Sequence, residues 1–241
     1  MRLRRKPPRG NVRRVTSTGQ NMCGVITNKA GHTVQFESFL ERVLLLQFER
    51  DKSVIDYRSQ PVTFTFTDEK QRERKYTPDF LVERQGGAVE IHEVTLVERQ
   101  GQARIRERER EARIICNKKG WEYRVHTEQT LPQHTEITNL LALYPYRLKK
   151  YRHEGLAQAL REYLTPNGSG TLAECMGGVV QALSLPESTV FEALCHLLWE
   201  DDIATDLHTL LIVDCRFNPR AKAWLPYRAG QQSEIDREVQ G

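Results

Sequence analysis

The chain has 241 residues, of which 39% are hydrophobic and 28% are charged. This balance indicates a folded globular protein with one large or two small domains, and it excludes a largely disordered chain. The net charge of +4 is too small to identify a partner by itself. No stretch approaches the roughly eighteen consecutive apolar residues of a membrane-spanning helix, so no membrane partner is expected.

The cysteines indicate a reducing compartment. The sequence contains five of them, widely spaced and without a C-x-x-C pair. An odd count at long spacings argues against a disulfide framework and against a cysteine zinc site. We therefore expect the cysteines to be small buried apolar side chains in a cytoplasmic protein.

Positive charge is concentrated at the start of the sequence. Met1–Arg14 contains seven basic residues and no acid. We interpret residues 1–20 as a basic arm, and this composition fits both a solvated tail and a segment that lies on DNA phosphates. For the second interpretation the predicted DNA-binding residues are Arg4, Arg5, Lys6, Arg13 and Arg14.

Residues 21–148 are expected to form the first folded domain after this arm. A hairpin is predicted over residues 22–36. A helix follows, because Ser38 and Glu41 have the spacing of a capping box and an apolar face continues to about Arg50.

The rest of this domain alternates between strands and a charged helix. Strands are predicted at residues 54–57, 62–66, 74–82 and 88–97. Pro78 is expected to force a bulge or an edge within the third of them. A helix over residues 98–119, ended by Gly120, and a strand over residues 121–125 follow. This order predicts an α/β fold with a mixed sheet flanked by helices.

Residues 149–241 differ in character and are expected to form a second domain with a tail. Helices are predicted at residues 154–164, 171–176 and 186–200, and a hairpin is predicted to pair residues 203–207 with residues 210–213. Three helices and a two-stranded wing indicate a winged helix-turn-helix. The third helix contains Glu187, Glu192 and Glu200 but no Lys or Arg, which favours a protein partner over DNA.

Two acids lie on adjacent predicted strands. Asp79 follows Pro78, and Glu93 comes fourteen residues later, after a Gly-Gly turn. Neighbouring strands would place both carboxylates at one spot, which Glu41 of the preceding helix could also reach. Carboxylates are preferred ligands of Mg²⁺ and Mn²⁺, and such ions support phosphodiester hydrolysis. We therefore predict Glu41, Asp79 and Glu93 as catalytic, metal-binding residues, in the layout of a PD-(D/E)xK nuclease core.

Four segments together resemble the N-terminal catalytic domain of TnsA, the endonuclease subunit of heteromeric, cut-and-paste DNA transposases. In chain order they are Ser38–Glu41, Val54–Gln60, Tyr76–Val82 and Glu93–Val94. The resemblance spans about residues 22–126 and implies a restriction-endonuclease-like domain followed by a winged-helix domain. It also implies that Glu41, Asp79 and Glu93 occupy the acidic, metal-binding positions of the family, with Mg²⁺ or Mn²⁺ as cofactor.

The resemblance further implies a function and partners. The protein would be a DNA endonuclease that cuts one strand, at the 5′ side of each transposon end. A TnsB-like transposase would cut the other strand, and a TnsC-like ATPase regulator would communicate target choice. Such a protein is expected in the bacterial cytoplasm, associated with the nucleoid.

One residue departs from the family pattern. The motif has lysine two positions after the second acid, where this chain has Thr95. Another cation could supply the charge, threonine could suffice in a slower or partner-dependent enzyme, or the domain could no longer cut DNA. We favour the first interpretation, because all three acids remain in register. The candidate cations are Lys75, Arg104, Arg106 and Arg110.

Two alternatives to the transposase endonuclease remain open. The chain could be an inactive nuclease-fold module that binds DNA or assembles a complex. It would then bind no divalent ion at its acids. It could also be a stand-alone restriction or defence nuclease, which would cut DNA without any transposase.

Overall fold

The structure is a computed structural model that describes residues 22–226. It divides into two compact units, one ending at Pro132 and one beginning at Gln133. The arm at residues 1–20 and the tail from Gly230 lie outside the described residues. Because the units are separate compact bodies, each is described by itself.

The first unit alternates helices and strands as an α/β fold. Its elements are β1 (Gly24–Thr27), β2 (Thr33–Phe36), α1 (Phe39–Arg50), β3 (Val54–Ser59), β4 (Phe64–Thr67), β5 (Glu73–Tyr76), β6 (Phe80–Arg84), β7 (Val89–Val94), α2 (Val97–Gln100), α3 (Ala103–Lys119) and β8 (Glu122–His126). The predicted hairpin over residues 22–36 is confirmed, since β1 pairs antiparallel with β2. The predicted helix ending at Arg50 is also confirmed.

A four-stranded mixed sheet forms the centre of this unit. Its strand order is β3-β6-β7-β8. The first three strands run antiparallel, and β8 runs parallel to β7. A parallel neighbour needs a crossover, and α2 and α3 supply it. The mixed sheet with flanking helices is the predicted architecture.

The predicted strand over residues 74–82 is two strands. Within residues 22–226, β5 pairs with β4 alone, as a separate hairpin, whereas β6 joins the central sheet. Pro78 lies in the gap between them, and it lacks the N–H that would continue a ladder. The break is therefore larger than the predicted bulge, and it places Asp79 in a bend directly before β6.

The two faces of the central sheet pack against different helices. On one face, buried apolar side chains of β4, β5, β7, β8 and α3 form a core that consists of Phe64, Tyr76, Ile91, Ala112, Cys116 and Tyr123. On the other face, the ring of His92 lies 4.8 Å from the ring of Phe48 of α1. Side chains alternate along a strand, so the residues next to His92 on β7 point to the α3 face.

The helical crossover differs in one detail from the prediction. The single helix expected over residues 98–119 is interrupted between Gln100 and Ala103, which separates α2 from α3. The predicted stop at Gly120 is confirmed. Gly120 has φ +69°, and its N–H donates to the carbonyls of Asn117 and Cys116, as in helix ends closed by a left-handed glycine.

The second unit contains four helices and several short strands in its described part. They are α4 (His134–Leu143), α5 (Glu154–Asn167), β9 (Ser169–Thr171), α6 (Leu172–Leu183), α7 (Glu187–Trp199), β10 (Ala204–Thr205), β11 (Ile212–Val213), β12 (Arg216–Phe217) and β13 (Lys222–Trp224). Helix α6 begins at a full capping box between Thr171 and Glu174 and is longer than predicted. The apolar faces of α5, α6 and α7 form the core of the second unit.

The predicted hairpin of residues 203–207 with residues 210–213 is wrong. β10 pairs with β13 in a three-stranded antiparallel sheet of order β10-β13-β9, and β11 pairs with β12. The reason is the turn at Asp214 and Cys215, which both have positive φ, +49° and +61°. Two such residues form the tight turn that joins neighbouring strands, so β11 folds onto the next strand rather than the previous one.

The first compact unit ends at Pro132 and the second begins at Gln133, whereas the predicted domain boundary lies at residue 148. The segment between these points packs within the second unit. Asn139 of α4 donates through its side-chain nitrogen to the carbonyls of Leu207 and Thr209, each at 2.8 Å, and accepts from the N–H of Leu211 at 2.9 Å. These hydrogen bonds attach α4 to the loop before β11.

Two further expectations from composition have partial outcomes. Cys116, Cys175 and Cys195 are buried as expected, but Cys23 and Cys215 are exposed. Among residues 22–226, no helix combines the length and apolar character that crossing a membrane requires.

Candidate active site

Glu41 lies in the first turn of α1, where the sequence predicted a capping box. The Ser38 hydroxyl accepts from the Glu41 N–H at 3.1 Å and lies 3.0 Å from its carboxylate oxygen Oε1. The second oxygen, Oε2, accepts from the backbone N–H of Glu37 at 2.8 Å. These hydrogen bonds hold the carboxylate at the start of the helix.

Hydrogen bonds attach Asp79 to both strands that flank β6. Its backbone carbonyl accepts from the N–H of Gln60 at 2.7 Å, which ties it to the end of β3. Its side-chain oxygen Oδ2 accepts from the N–H of Val94 at 2.8 Å, which ties it to the end of β7. The carboxylate of Asp79 therefore lies beside the backbone next to Glu93.

Glu93 is buried on the α3 face of β7, with 5% of its surface exposed. Arg108 of α3 donates through Nη2 to Oε1 of Glu93 at 2.6 Å. The Tyr76 hydroxyl donates to Oε2, and it lies 3.0 Å from the hydroxyl of Tyr123. Both oxygens of Glu93 thus have a protein donor.

The three acids influence one another electrostatically. Burial and the negative charge of Asp79 raise the pKa of the Glu41 carboxyl to about 7. Burial also raises the pKa of Glu93 to about 7, although Arg108 opposes the effect, and the charges of Glu109 and Glu41 add to it. The charge of Asp79 thus acts on Glu41, and the charge of Glu41 acts on Glu93.

These acids do not form a recognisable metal cage by themselves. In the part of the chain that the structure describes, no group of three or more His, Cys, Asp and Glu side chains has an arrangement suited to a metal ion. The protein donors on Glu93 give one reason, since Arg108 and Tyr76 lie where ligand contacts would form. The three-acid ligand set thus stays a prediction.

Arg108 reaches the α3 face of the sheet as a partly buried cation. Its side chain is 27% exposed, and its guanidinium carbon lies 4.6 Å from the ring centre of Tyr76. The negative charges of Glu93 and of Asp79 raise its pKa, against the effect of burial. The buried Nε has no acceptor among residues 22–226, so part of its donor capacity is unused.

Residues 51–128 match the family described as TnsA-like endonuclease N terminal. This segment is TnsA-like. No curated protein matches the chain.

The match confirms the resemblance drawn from the sequence over that range. It includes Asp79, Glu93 and Thr95, and it also includes Arg108. Glu41 lies before the matched range, so its assignment depends on its contacts and on its electrostatic coupling to the other acids.

The lysine position of the TnsA-like motif is a buried neutral side chain. Thr95 follows β7, is 9% exposed, and donates through its backbone N–H to the carbonyl of His126 at 2.9 Å. The cation beside the acids is Arg108, which the sequence analysis did not name. The helical stripe could have identified it, because Arg108 precedes the buried Ala112 and Cys116 by four and eight residues.

The four predicted substitute cations do not pair with the acids of the candidate site in the described residues. Lys75 is 70% exposed and pairs with Glu73 at 3.8 Å. Arg110 is 59% exposed and pairs with Glu111 at 3.2 Å. Arg104 and Arg106 are exposed on α3. None of the four has a hydrogen bond or ion pair to Glu41, Asp79 or Glu93 in the described residues.

A basic cleft adjoins Arg108. Its volume is about 450 Å³, and it lies between β5 and the first turns of α3. Its lining, as far as the described residues define it, contains no acidic side chain and consists of Lys75, Tyr76, Thr77, Gln102, Arg104, Ile105 and Arg108. We call this surface the basic cleft.

The opposite face of β7 carries His92, whose ring is buried. Its Nε2 lies 3.0 Å from Glu90 and its Nδ1 lies 2.8 Å from Nε2 of His126. Burial lowers the pKa of His92, and burial with the neighbouring ring of His92 lowers the pKa of His126 to about 4. Both rings are therefore neutral packing groups at neutral pH. The predicted DNA contacts at Arg4, Arg5, Lys6, Arg13 and Arg14 lie outside the described residues.

Proposed function

We propose that the protein is a metal-dependent DNA endonuclease that serves as the TnsA-like subunit of a Tn7-type transposase. It would nick the 5′ side of each transposon end during cut-and-paste transposition. The observation that carries the proposal is the position of Asp79 within the TnsA-like segment, where its Oδ2 accepts from the N–H of Val94 directly beside Glu93 and its charge raises the pKa of Glu41.

The residues at this site fit a divalent cation such as Mg²⁺ or Mn²⁺. Burial raises the pKa values of Glu41 and Glu93 to about 7, and neighbouring acids add to the effect, although Arg108 opposes it at Glu93. A buried carbonyl oxygen of Gln60 also lacks a protein partner among residues 22–226. Carboxylate and carboxamide oxygens are the ligands that hard cations prefer. Glu41 and Asp79 would hold the ion, with Glu93 beside it.

The cation would supply charge neutralisation and would polarise the scissile phosphate. Arg108 would act beside it, because its positive charge lies next to Glu93 and its donor capacity is only partly used. In this proposal Arg108 stabilises negative charge that develops on the phosphate, which is the role of the motif lysine. Thr95 is too deeply buried and uncharged to do this.

The basic cleft supports DNA as the substrate. Lys75 and Arg104 line it together with Arg108, and no acidic side chain described in its lining opposes them. Phosphate groups of a DNA strand gain affinity from such cations. The cleft would therefore carry the strand next to the scissile phosphate, and the N-terminal arm would add contacts outside it.

The second unit is proposed to be a winged-helix domain that binds protein. Its order of α5, β9, α6, α7, β10 and β13, with a sheet of order β10-β13-β9, supports this assignment. Helix α7 contains Glu187 and Glu192 and no Lys or Arg, which disfavours contact with DNA phosphates. A TnsB-like transposase and a TnsC-like ATPase are the proposed partners.

Strand cutting by matched variants tests the proposal. The protein would be combined with a TnsB-like transposase, transposon-end DNA and Mg²⁺ or Mn²⁺. Asp79→Asn is expected to lower 5′-strand nicking by about 100-fold or more while the fold is retained. Glu98→Gln is the control, because Glu98 is exposed on α2. Equal nicking by Asp79→Asn and wild type would refute the site assignment.

A second candidate function follows from Thr95. Without the motif lysine, the domain could serve as an inactive module for DNA binding or assembly. The two candidates differ in metal binding, since an inactive module would bind no divalent ion that depends on Asp79. A stand-alone nuclease would instead cut DNA when the partner transposase is omitted.

A further inference from the structure

Gln60 is a buried side chain directly after β3. It is 4% exposed, and its φ of +47° is unusual for a residue with a side chain. Its backbone N–H donates to the carbonyl of Asp79 at 2.7 Å, and its side-chain nitrogen donates to Oε1 of Glu37 at 3.0 Å. These two contacts fix both ends of the residue.

The side-chain oxygen of Gln60 is left without a partner. The hydrogen bond to Glu37 identifies which terminal atom is the nitrogen, because the reverse orientation would point the amide oxygen at a carboxylate. The remaining atom, Oε1, is buried and has no hydrogen-bond donor among residues 22–226. A buried amide oxygen without a partner is costly, and native proteins rarely contain one.

The hydrogen bonds of Gln60 connect it to the acids of the candidate site. Glu37 accepts from the Gln60 amide and donates its backbone N–H to Oε2 of Glu41 at 2.8 Å. The charge of Glu37 also raises the pKa of Glu41. Gln60 is thus linked through Glu37 to Glu41 and through its own backbone to Asp79, the two acids proposed to hold the ion.

We propose that Oε1 of Gln60 is a third protein ligand of the divalent ion held by Glu41 and Asp79. A carboxamide oxygen is a neutral ligand that Mg²⁺ and Mn²⁺ accept, and it adds no charge to a site already crowded with carboxylates. The strained backbone of Gln60 fits this role, since unusual conformations are retained where a side chain must be aimed. This inference rests on the proposed function.

Mn²⁺ binding to the whole protein tests the inference without a cleavage assay. Binding would be measured by titration calorimetry for wild type, Gln60→Met and Asp79→Asn. Methionine has a similar size but no oxygen, so Gln60→Met is expected to weaken Mn²⁺ binding about tenfold or more. Gln71→Met is the matched control, because Gln71 also has positive φ, +57°, but lies in an exposed turn. It is expected to bind Mn²⁺ as wild type does.

The outcomes distinguish this inference from the proposed function. If wild type binds no Mn²⁺, or if Asp79→Asn binds it equally well, both are overturned. If Asp79→Asn loses binding but Gln60→Met keeps wild-type affinity, only the role of Gln60 is overturned.

A second measurement uses the unaltered protein, so it remains decisive if Gln60→Met fails to fold. Glutamine would be labelled with ¹³C at the side-chain carbonyl, and the protein would be titrated with Mg²⁺. The Gln60 carbonyl resonance is expected to shift in proportion to occupancy, whereas that of Gln71 stays constant. No shift for Gln60 at saturating Mg²⁺ would overturn the inference.

Discussion

Replacing Arg108 by methionine is expected to destabilise the protein, and the loss is expected to grow with pH. Arg108 lies 2.6 Å from the buried carboxylate of Glu93 and 4.6 Å from the ring centre of Tyr76. Methionine keeps the apolar stem of the side chain but removes its charge. The variant therefore loses one contact that is independent of pH and one that requires an ionised Glu93.

The magnitude follows from the pKa of Glu93, which is about 7 in the folded protein against an ordinary value of 4.5. At pH 6 Glu93 is mostly protonated in wild type, so the substitution removes mainly the contact with Tyr76, about 1 kcal/mol. Above pH 7 wild type gains a charge that Arg108 stabilises, whereas the variant keeps Glu93 protonated. Each further pH unit adds about 1.4 kcal/mol, so the added loss at pH 9 is about 3 kcal/mol.

The assay is chemical denaturation of wild type and Arg108→Met at pH 6 and pH 9 without divalent ions. Comparing the two proteins at each pH cancels the titration of other groups, including the histidines. Arg110→Met serves as the control, because Arg110 is 59% exposed and pairs only at the surface. Its loss is expected to stay below about 1 kcal/mol at both pH values.

An equal loss for Arg108→Met at pH 6 and pH 9 would refute the reasoning. It would mean that Glu93 does not titrate near neutral pH, or that Arg108 contributes by packing alone. A loss that is larger at pH 6 than at pH 9 would contradict the sign of the pKa shift.

Three further predictions concern the acids, the cation and the cleft. The pKa of Glu41 is about 7 in the folded protein, so its ionisation destabilises the fold increasingly as pH rises from 4.5 to 7. Chemical denaturation should therefore show that the free energy of unfolding of Glu41→Gln, relative to wild type, rises by up to about 3 kcal/mol between pH 5 and pH 8. Constant relative stability would contradict this. Nicking should fall at least tenfold in Arg108→Met and recover in part in Arg108→Lys, measured by single-turnover cutting, whereas full activity of the methionine variant would exclude Arg108 as the substitute cation. Arg104→Ala should reduce the salt dependence of DNA binding by about one phosphate contact, whereas Arg110→Ala, outside the lining of the cleft, should leave the slope unchanged.

The sequence was informative where local chemistry decides the structure. The N-cap at Ser38, whose hydroxyl accepts from the N–H of Glu41, and the stop at Gly120 depend on neighbouring residues, and both were predicted. The mixed sheet also followed from the order of the elements. The position of Glu93 on β7 was predicted for the same reason, whereas Asp79 lies in a bend directly before β6 and not on the strand where it was predicted.

The errors arose where distant parts of the chain decide the structure. The pairing of β10 with β13 depends on a strand that begins seventeen residues after β10 ends, at Lys222 after Thr205, and no local pattern announces it. The boundary between the units depends on Asn139, whose partners lie near residue 210.

Arg108 was missed for a related reason. The Arg- and Glu-rich helix α3 has signs that nearly cancel, which is typical of a solvated surface. Only the sheet facing α3 turns one of these arginines into a partner of a buried acid. The spacing to Ala112 and Cys116 indicated the correct face, but it did not indicate that Glu93 and Tyr76 lie opposite.

The position of Glu41 at a helix start has a mechanical consequence. Glu41 takes part in the hydrogen bonds at the start of α1, and its carboxylate is also one of the acids of the candidate site. Because successive helical residues are rotated by about 100°, adding a single residue between Ser38 and Glu41 would turn that carboxylate away from Asp79. A change at the beginning of α1 would therefore also change the arrangement of the acids.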